Sequence, residues 1–291
     1  MNNKEKNEPL MKSIIIMRHG ERIDCIDEIK KEQVLSEYDP ELTKKGIKQA
    51  QDIGIQIKKS LKNNMNILNI YTSPFTRTIM TGINLAKKLN LEKNNFYIIN
   101  SLFEIASKNN FKYFPLNSLL INNKLGQKNL YEKYILNGIN ELNNWTFNEI
   151  NKNQNQNVIQ YPEDFNDAIK RYKDIARVLF DEIVKNENNS LNVIVTHGYG
   201  VQVITEFLFG KTCNEEELLK KEIFFVDYCT SYCFNFVKNN EIKFIGRIEP
   251  SFDWEVFSYI NFHYFIFDLN YKKLKNDLYK NLFIINHWKN S

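Results

Sequence analysis

Short apolar runs alternate with longer amphipathic segments along most of the chain. Three largely apolar runs of strand length occupy residues 13–17, 68–72 and 191–196, and the first and third are rich in isoleucine or valine. Helical patterns are predicted over residues 43–61 and 74–89, from 165 to about 185, and from 198 to about 209. Apolar residues recur at helical spacing in the third of these helices: Phe165, Ile169, Tyr172, Ile175, Ala176, Leu179 and Phe180. The alternation predicts an α/β fold with buried strands.

The first of these strands ends in an unusual set of polar residues. Ser13–Met17 runs directly into Arg18-His19-Gly20, and a second guanidinium follows at Arg22. Open α/β sheets bind ligands at the carboxyl ends of their strands. An imidazole that can accept a phosphoryl group, beside two planar guanidinium forks that suit phosphate, indicates phosphoryl transfer.

The other two strands end in residues of the same kinds. Thr72 leads into Ser73-Pro74, for which we predict that Ser73 caps the next helix and Pro74 is its first residue. Arg77 then lies in the first turn of that helix, near the end of the strand. The strand over residues 191–196 ends in His197-Gly198. Two strands therefore end in His-Gly, and arginines follow two strand ends.

In these motifs the chain resembles the histidine phosphatase superfamily, the phosphoglycerate-mutase-like proteins, and in particular its branch 1. The matching residues span about 13–205 in the family's order: Arg18-His19-Gly20, Leu42-Thr43, Gly46, Gln49-Ala50, Ser73-Pro74, Arg77, Thr81, Glu104 and Thr196-His197. The resemblance implies a three-layer α/β sandwich with a mostly parallel central sheet. It also implies catalysis through a phosphohistidine.

The resemblance assigns a role to each site residue. His19 corresponds to the nucleophile, and Glu104 to the proton donor, which could later serve as the base for the hydrolytic water. Four residues correspond to the groups that surround the phosphate: Arg18, Arg22, Arg77 and His197. His197 is also assigned a catalytic role. Several guanidinium groups can stabilise the transition state without magnesium, so we expect no cofactor and no metal. The nucleophilic nitrogen of His19 must be neutral, so its other nitrogen should donate to a backbone carbonyl.

Ordinary structural roles compete with some of these assignments. Arg22 in a loop is also compatible with a solvated charge, and Glu104 with a surface carboxylate. Glu21 and Asp24 are interpreted as loop residues rather than catalytic ones. His263 and His287 lie outside every motif.

The residues within the motifs favour one type of protein within the superfamily. His197 is followed by Gly198 rather than by the aspartate of the acid phosphatases and phytases. The run from Arg18 to Asp24 is similar to the T-cell signalling suppressor phosphatases and their ecdysteroid-phosphate relatives. We therefore expect a metal-independent phosphomonoesterase acting on a phosphorylated small molecule or phosphopeptide. The alternatives are a phosphoglycerate mutase and a catalytically silent module that binds phosphorylated ligands, although the intact set of site residues argues against the silent module.

The domain organisation predicted from the sequence has three parts. A polar segment over residues 1–12 precedes a phosphatase domain over 13–249, and an aromatic extension over 250–291 is expected to pack on the core. An oligomer contact, as in a homodimer, is the alternative role for that extension. Residues 105–160 form an insertion, predicted as a cap of short helices and loops that carries Phe111, Tyr113 and Phe114 near the pocket.

The composition of the chain limits which binding partners and which cellular location we expect. The net charge is only +4, and no dense Lys/Arg stripe occurs, so no nucleic-acid partner is expected. No apolar run is long enough to span a bilayer, and the first ten residues are too polar for a signal peptide. Four cysteines do not make a disulfide framework in so long a chain. A cytoplasmic location follows as the expectation, with Cys229 and Cys233 as packed thiols on a strand over residues 226–234.

Overall fold

The computed structural model of the chain describes residues 12–25, 39–61, 65, 67–89, 91, 93–108, 111, 145–147, 161–186, 188–210, 226–236 and 242–250. They all lie in the first of two compact units, Met1–Phe252, and the second is Asp253–Ser291. Three predicted parts fall outside the described residues: the polar segment up to Met11, most of the insertion, and the aromatic extension from Ser251 onward. None of the described helices is long and apolar enough to cross a membrane.

In the described part of the chain, seven strands form one sheet: β1 Lys12–Arg18, β2 Ile67–Thr72, β3 Lys93–Ile98, β4 Trp145–Phe147, β5 Ser190–Thr196, β6 Ser231–Phe236 and β7 Ile242–Ile248. Their order across the sheet is β4-β3-β2-β5-β1-β6-β7. The pairs from β4 to β1 are parallel, while β6 is antiparallel to both of its neighbours. The predicted mostly parallel sheet is confirmed. The three strands predicted from apolar runs, β2, β5 and β1, are neighbours at its centre.

Among the described residues, two helices pack on each face of the sheet: α1 Lys44–Ser60 and α2 Thr76–Leu89 on one face, α3 Phe165–Lys185 and α4 Gly198–Phe209 on the other. The alternation of side chains along a strand divides β1 between these layers. Ile14 and Ile16 join the cluster formed with α3 and α4, whereas Ile15 and Met17 join the cluster formed with α1 and α2. The three-layer sandwich expected from the sequence is therefore confirmed.

Helix α2 does not begin where the sequence pattern placed it. It starts at Thr76 rather than at Pro74. Its first backbone N–H is bonded by a carboxylate from a distant part of the chain, because Thr76 N donates to Asp39 Oδ1 over 2.7 Å. The prediction that Ser73 caps this helix is wrong, and the hydroxyl of Ser73 has another partner. Arg77 nevertheless lies in the first turn, as expected.

Two further segments differ from their predictions. Residues Trp145–Phe147, placed by the sequence in a cap, form strand β4 and extend the sheet beside β3. Residues 226–230, predicted as part of a strand, form a turn in which Cys229 has a positive φ of 59°. Strand β6 begins only at Ser231. This turn lies against the end of β1, because Cys229 N donates to the His19 carbonyl over 3.2 Å.

Candidate active site

The loop that follows β1 is fitted closely against the start of α1. A Cβ on Gly20 would lie 2.6 Å from the carbonyl oxygen of Gly46, and a Cβ on Gly46 would lie 2.4 Å from that of Glu21. Thr43 caps α1 by accepting from Gly46 N, and its own N–H donates to Glu21 O over 2.9 Å. Gln49 accepts from Glu21 N over 2.9 Å. Glycine is required at both positions because the two backbones touch.

His19 is held in one orientation by its own loop. Its Nδ1 lies 2.8 Å from the Gly20 carbonyl oxygen. A carbonyl only accepts, so Nδ1 carries the proton and Nε2 keeps a free lone pair. The Gly20 N–H in turn donates to Thr81 Oγ1 over 3.0 Å, and that hydroxyl donates to the Arg77 carbonyl over 2.7 Å. The bond from Nδ1 to the Gly20 carbonyl is the one expected from the sequence for a nucleophilic imidazole.

The charge state of His19 suits the same chemistry. The residue is buried, with 1% of its surface exposed. Burial, and then the positive charges of Arg77 and Arg18, hold its pKa well below the ordinary value of 6.5. The imidazole is therefore neutral at physiological pH, as attack by Nε2 requires.

Arg77 lies on the floor of the site with its guanidinium buried against several partners. Its Nη2 donates to Glu104 Oε2 over 2.5 Å and lies 3.4 Å from His197 Nδ1. Its Cζ stands 4.0 Å from the centre of the Phe75 ring, and its Nη1 is 3.9 Å from Asp39 Oδ1. Nε and Nη1 have no hydrogen-bond acceptor among the described residues. Burial lowers the pKa of Arg77, but a guanidinium remains charged in proteins.

His197 follows the central strand β5 and faces His19. The centres of the two imidazole rings are 5.4 Å apart. His197 Nε2 lies 2.9 Å from Ser73 Oγ, which is the partner that Ser73 has in place of the helix terminus. The Phe75 ring packs edge-on against His197 with 5.0 Å between ring centres. Burial, followed by the charge of Arg77, lowers the pKa of His197 well below 6.5, so its Nδ1 faces Arg77 as a neutral group.

Arg18 is fixed by the turn that precedes β6. Its Nη1 donates to the Val226 carbonyl over 2.7 Å, and its Cζ lies 4.2 Å from the centre of the Tyr228 ring. The Tyr228 ring also stands 5.7 Å from the His19 ring. The buried Nε of Arg18 has no acceptor among the described residues. Sequence reasoning missed Tyr228, because it took this turn for a strand.

Arg22 and Glu104 belong to the more exposed side of the site. Arg22 donates to both carboxylate oxygens of Asp24, with 2.9 Å from Nε to Oδ1. Glu104, with 27% of its side chain exposed, lies against Arg77 and places Oε2 3.8 Å from His197 Nδ1. The structure thus brings Glu104 into the cluster, while the fork of Arg22 is engaged by Asp24. Arg22 still contributes to lowering the pKa of His19.

The residues gathered at the ends of β1, β2 and β5 can hold a doubly charged anion. Two guanidinium groups, Arg18 and Arg77, and two imidazoles, His19 and His197, converge there, and Arg22 contributes a third positive charge. Three of their N–H groups, Nε and Nη1 of Arg77 and Nε of Arg18, have no acceptor among the described residues. Such donors are what a phosphate dianion needs from arginine. Within the described part of the chain, no group of three or more His, Cys, Asp or Glu side chains is arranged to hold a metal ion. The positive charge at the site comes from the protein itself.

Comparison with known protein families gave one match. Residues 14–105 match the family described as histidine phosphatase superfamily (branch 1), which confirms the resemblance seen in the motifs and supports phosphatase activity. That range contains every predicted site residue except His197. A search of curated proteins gave no match.

A search of solved structures also gave matches. Ecdysone phosphate phosphatase from Bombix mori, solved in complex with tungstate, has a TM-score of 0.53 at 14% identity, over 86% of this chain and 98% of the other. This likeness shows the fold. Phosphoserine phosphatase from Entamoeba histolytica, in complex with 3-phosphoglyceric acid, has a TM-score of 0.43 at 21% identity, over 82% of this chain and 97% of the other.

Proposed function

We propose that this chain, which matches the branch 1 histidine phosphatases over residues 14–105, hydrolyses phosphate monoesters through a phosphohistidine on His19. The observation that carries the proposal is the orientation of His19. Its Nδ1 is bound to the Gly20 carbonyl, which leaves a neutral Nε2 beside the buried guanidinium of Arg77 and the partly buried Arg18. An imidazole fixed in this tautomer is a nucleophile, and the guanidinium groups match the charge of the phosphoryl oxygens.

In the first step, His19 Nε2 attacks phosphorus and the bond to the ester oxygen breaks. Arg18 and Arg77 bind the equatorial oxygens, where charge is spread in the transition state. His197 lies beside Arg77, whose Nη2 is 3.4 Å from His197 Nδ1, and it keeps this guanidinium at the phosphate site. The departing alkoxide or phenoxide takes a proton from the carboxyl group of Glu104. The products of this step are an alcohol and N-phosphohistidine.

In the second step, water attacks phosphorus and releases His19. Glu104, now a carboxylate, accepts the proton of the attacking water, which restores its starting state. Its partial exposure supports this role, because solvent reaches the group from the open side of the site. The charge balance is supplied by side chains throughout, so the proposed reaction has no step that uses a metal ion.

The acceptor of the phosphoryl group separates the proposal from its nearest alternative. A phosphatase gives the group to water, whereas a mutase returns it to a bound glycerate. The substrate we propose is a phosphorylated small molecule or phosphopeptide. The resemblance to the ecdysteroid-phosphate type, together with the partly exposed ring of Tyr228 beside Arg18 and His19, favours hydrolysis of esters with bulky leaving groups.

The experiment is hydrolysis of p-nitrophenyl phosphate by the wild type and by His19→Ala, each with and without EDTA. We expect wild-type activity to persist in EDTA, and His19→Ala to lose about 10³-fold or more in kcat. His287→Ala, a histidine outside every motif, is the matched control and should retain activity. A folded His19→Ala with near wild-type activity would refute the mechanism. Transfer to glycerate phosphates that outpaces hydrolysis would favour the mutase.

A further inference from the structure

The segment that carries Glu104 is held by side chains rather than by secondary structure. Residues 103–107 belong to no helix or strand. The three consecutive carbonyl groups before Glu104 all accept hydrogen bonds from buried side chains. The Ser101 carbonyl accepts from Arg171, the Leu102 carbonyl from Thr196, and the Phe103 carbonyl from both Arg171 and Tyr172.

The far side of Glu104 is tied to the same network. Glu163 N donates to the Ala106 carbonyl over 2.9 Å, and Ala106 N donates to Glu163 Oε2 over 3.1 Å. The carboxylate of Glu163 is itself bound in bidentate fashion by Arg171, with both distances at 2.7 Å. Glu104 and Ile105 therefore lie between two anchored points, Phe103 and Ala106. Arg171, one residue of α3, contributes to both anchors.

Arg171 and Tyr172 pack against each other in the interior of the domain. Both side chains are buried, with 6% and 0% of their surfaces exposed, and the Arg171 Cζ stands 4.6 Å from the centre of the Tyr172 ring. Tyr172 donates to the Phe103 carbonyl over 2.5 Å. Burial raises the pKa of Tyr172 to about 12, so the hydroxyl keeps its proton as a donor across the physiological range.

We propose that Arg171 and Tyr172 are positioning residues for Glu104, and that they set how well Glu104 delivers its proton to the leaving group. The inference rests on the proposed function, in which Glu104 is the acid. Its basis is geometric, because rotation of the Phe103 peptide would swing the Glu104 side chain away from Arg77 Nη2, now 2.5 Å from it. Two donors on one carbonyl prevent that rotation.

The test measures how strongly each variant depends on the leaving group. Phenyl phosphate needs a proton on its departing oxygen, whereas 2,4-dinitrophenyl phosphate releases a stable phenolate without one. Glu104→Gln should slow phenyl phosphate strongly and dinitrophenyl phosphate little, since general acid catalysis contributes about 10²-fold or more. Tyr172→Phe, which removes only the hydroxyl, should show the same selectivity with about a tenfold loss on phenyl phosphate. Arg171→Lys should behave in the same way.

A double mutant separates positioning from a general loss of stability. If Tyr172 acts through Glu104, adding Tyr172→Phe to Glu104→Gln should cause little further loss on phenyl phosphate. Tyr232→Phe is the matched control. Tyr232 is a buried tyrosine whose hydroxyl makes no hydrogen bond within the described part of the chain, so we expect neither substrate to be affected.

Two outcomes would overturn the inference, and a third would overturn the proposed function on which it rests. Equal slowing of both substrates by Tyr172→Phe would indicate a structural role only. Additive losses in the double mutant would show that Tyr172 acts independently of Glu104. If Glu104→Gln slows both substrates equally, Glu104 is not the general acid. This outcome marks a failure of the proposed function rather than of the positioning network.

Discussion

Replacement of Thr81 tests how the nucleophile is held. Its hydroxyl accepts from the Gly20 N–H over 3.0 Å and donates to the Arg77 carbonyl over 2.7 Å. Thr81→Val keeps the shape of the side chain and removes both bonds. Thr81→Ser keeps the hydroxyl and removes one methyl group, so it serves as the matched control. Gly20 matters because its carbonyl binds His19 Nδ1.

The expected loss of stability follows from which group is left without a partner. The Arg77 carbonyl retains the helical bond from the backbone four residues later, so its loss is small. The Gly20 N–H is buried and would have no acceptor, which costs about 1–3 kcal/mol. For a domain of this size, that corresponds to a fall of about 2–4 °C in Tm for each kcal/mol.

The assay compares thermal unfolding and kcat/KM on p-nitrophenyl phosphate for the wild type and both variants. Thr81→Val should unfold at a lower temperature than Thr81→Ser. It should also lose about tenfold in kcat/KM, because a loosened Gly20 no longer fixes the imidazole for attack. If both variants match the wild type in Tm and in kcat/KM, the Thr81 hydroxyl does not hold the nucleophile and the reasoning is refuted.

Three further predictions follow from the contacts of the site. The pKa of His19 is lowered in the folded protein, so the unfolded chain binds a proton at this residue first as pH falls below about 6.5. The wild type is therefore destabilised as pH falls from 7 to 5. His19→Asn should lose less stability over this range, as measured by urea titration. Asp24→Asn should release the Arg22 fork and lower the inhibition constant of inorganic phosphate a few-fold, whereas an unchanged constant would exclude Arg22 from phosphate binding. Phe111 is 3% exposed within a cluster of aromatic rings, so Phe111→Ala should cost about 3–5 kcal/mol in unfolding without changing the preference between aryl and alkyl esters.

The central architecture could be predicted because each local signal agreed with the fold. The apolar run before Arg18 has the length of a strand, and two more such runs lead to Ser73 and His197. Parallel strands place their carboxyl ends at one edge, so these residues had to meet if the strands were neighbours. The structure makes them neighbours at the centre of the sheet.

The details that failed depend on contacts between distant parts of the chain. Ser73 before a proline suits a helix cap, but its hydroxyl lies against His197, while Asp39 supplies the carboxylate at the helix start. Nothing local distinguishes these partners. A helical pattern also counts Arg171 as a polar surface residue, yet it is buried because Glu163 and two carbonyls satisfy it. Such burial becomes visible only with the partners in place.

Some differences arose at the ends of elements, where periodicity carries little information. Phe165 belongs to the apolar stripe predicted for α3, but it is the first helical residue and is 56% exposed, packed beside Tyr199 with 4.5 Å between ring centres. The turn at Cys229 adopts a positive φ at a residue that is neither glycine nor asparagine. Its local signal is Asp227, whose carbonyl accepts from Thr230 N over 3.1 Å, and the apolar and aromatic residues around Asp227 outweighed that signal. Tyr228 was hidden by the same turn.

The most direct test of the account is to trap the phosphorylated enzyme. Wild-type protein is mixed with a 32P-labelled aryl phosphate, quenched within milliseconds and digested, and the labelled peptide is identified. We expect a label on His19 that survives alkali and is lost in acid, as is typical of phosphohistidine, and that is absent from His19→Ala. Turnover with no label on His19, or with a label of phosphoserine stability on another residue, would contradict it.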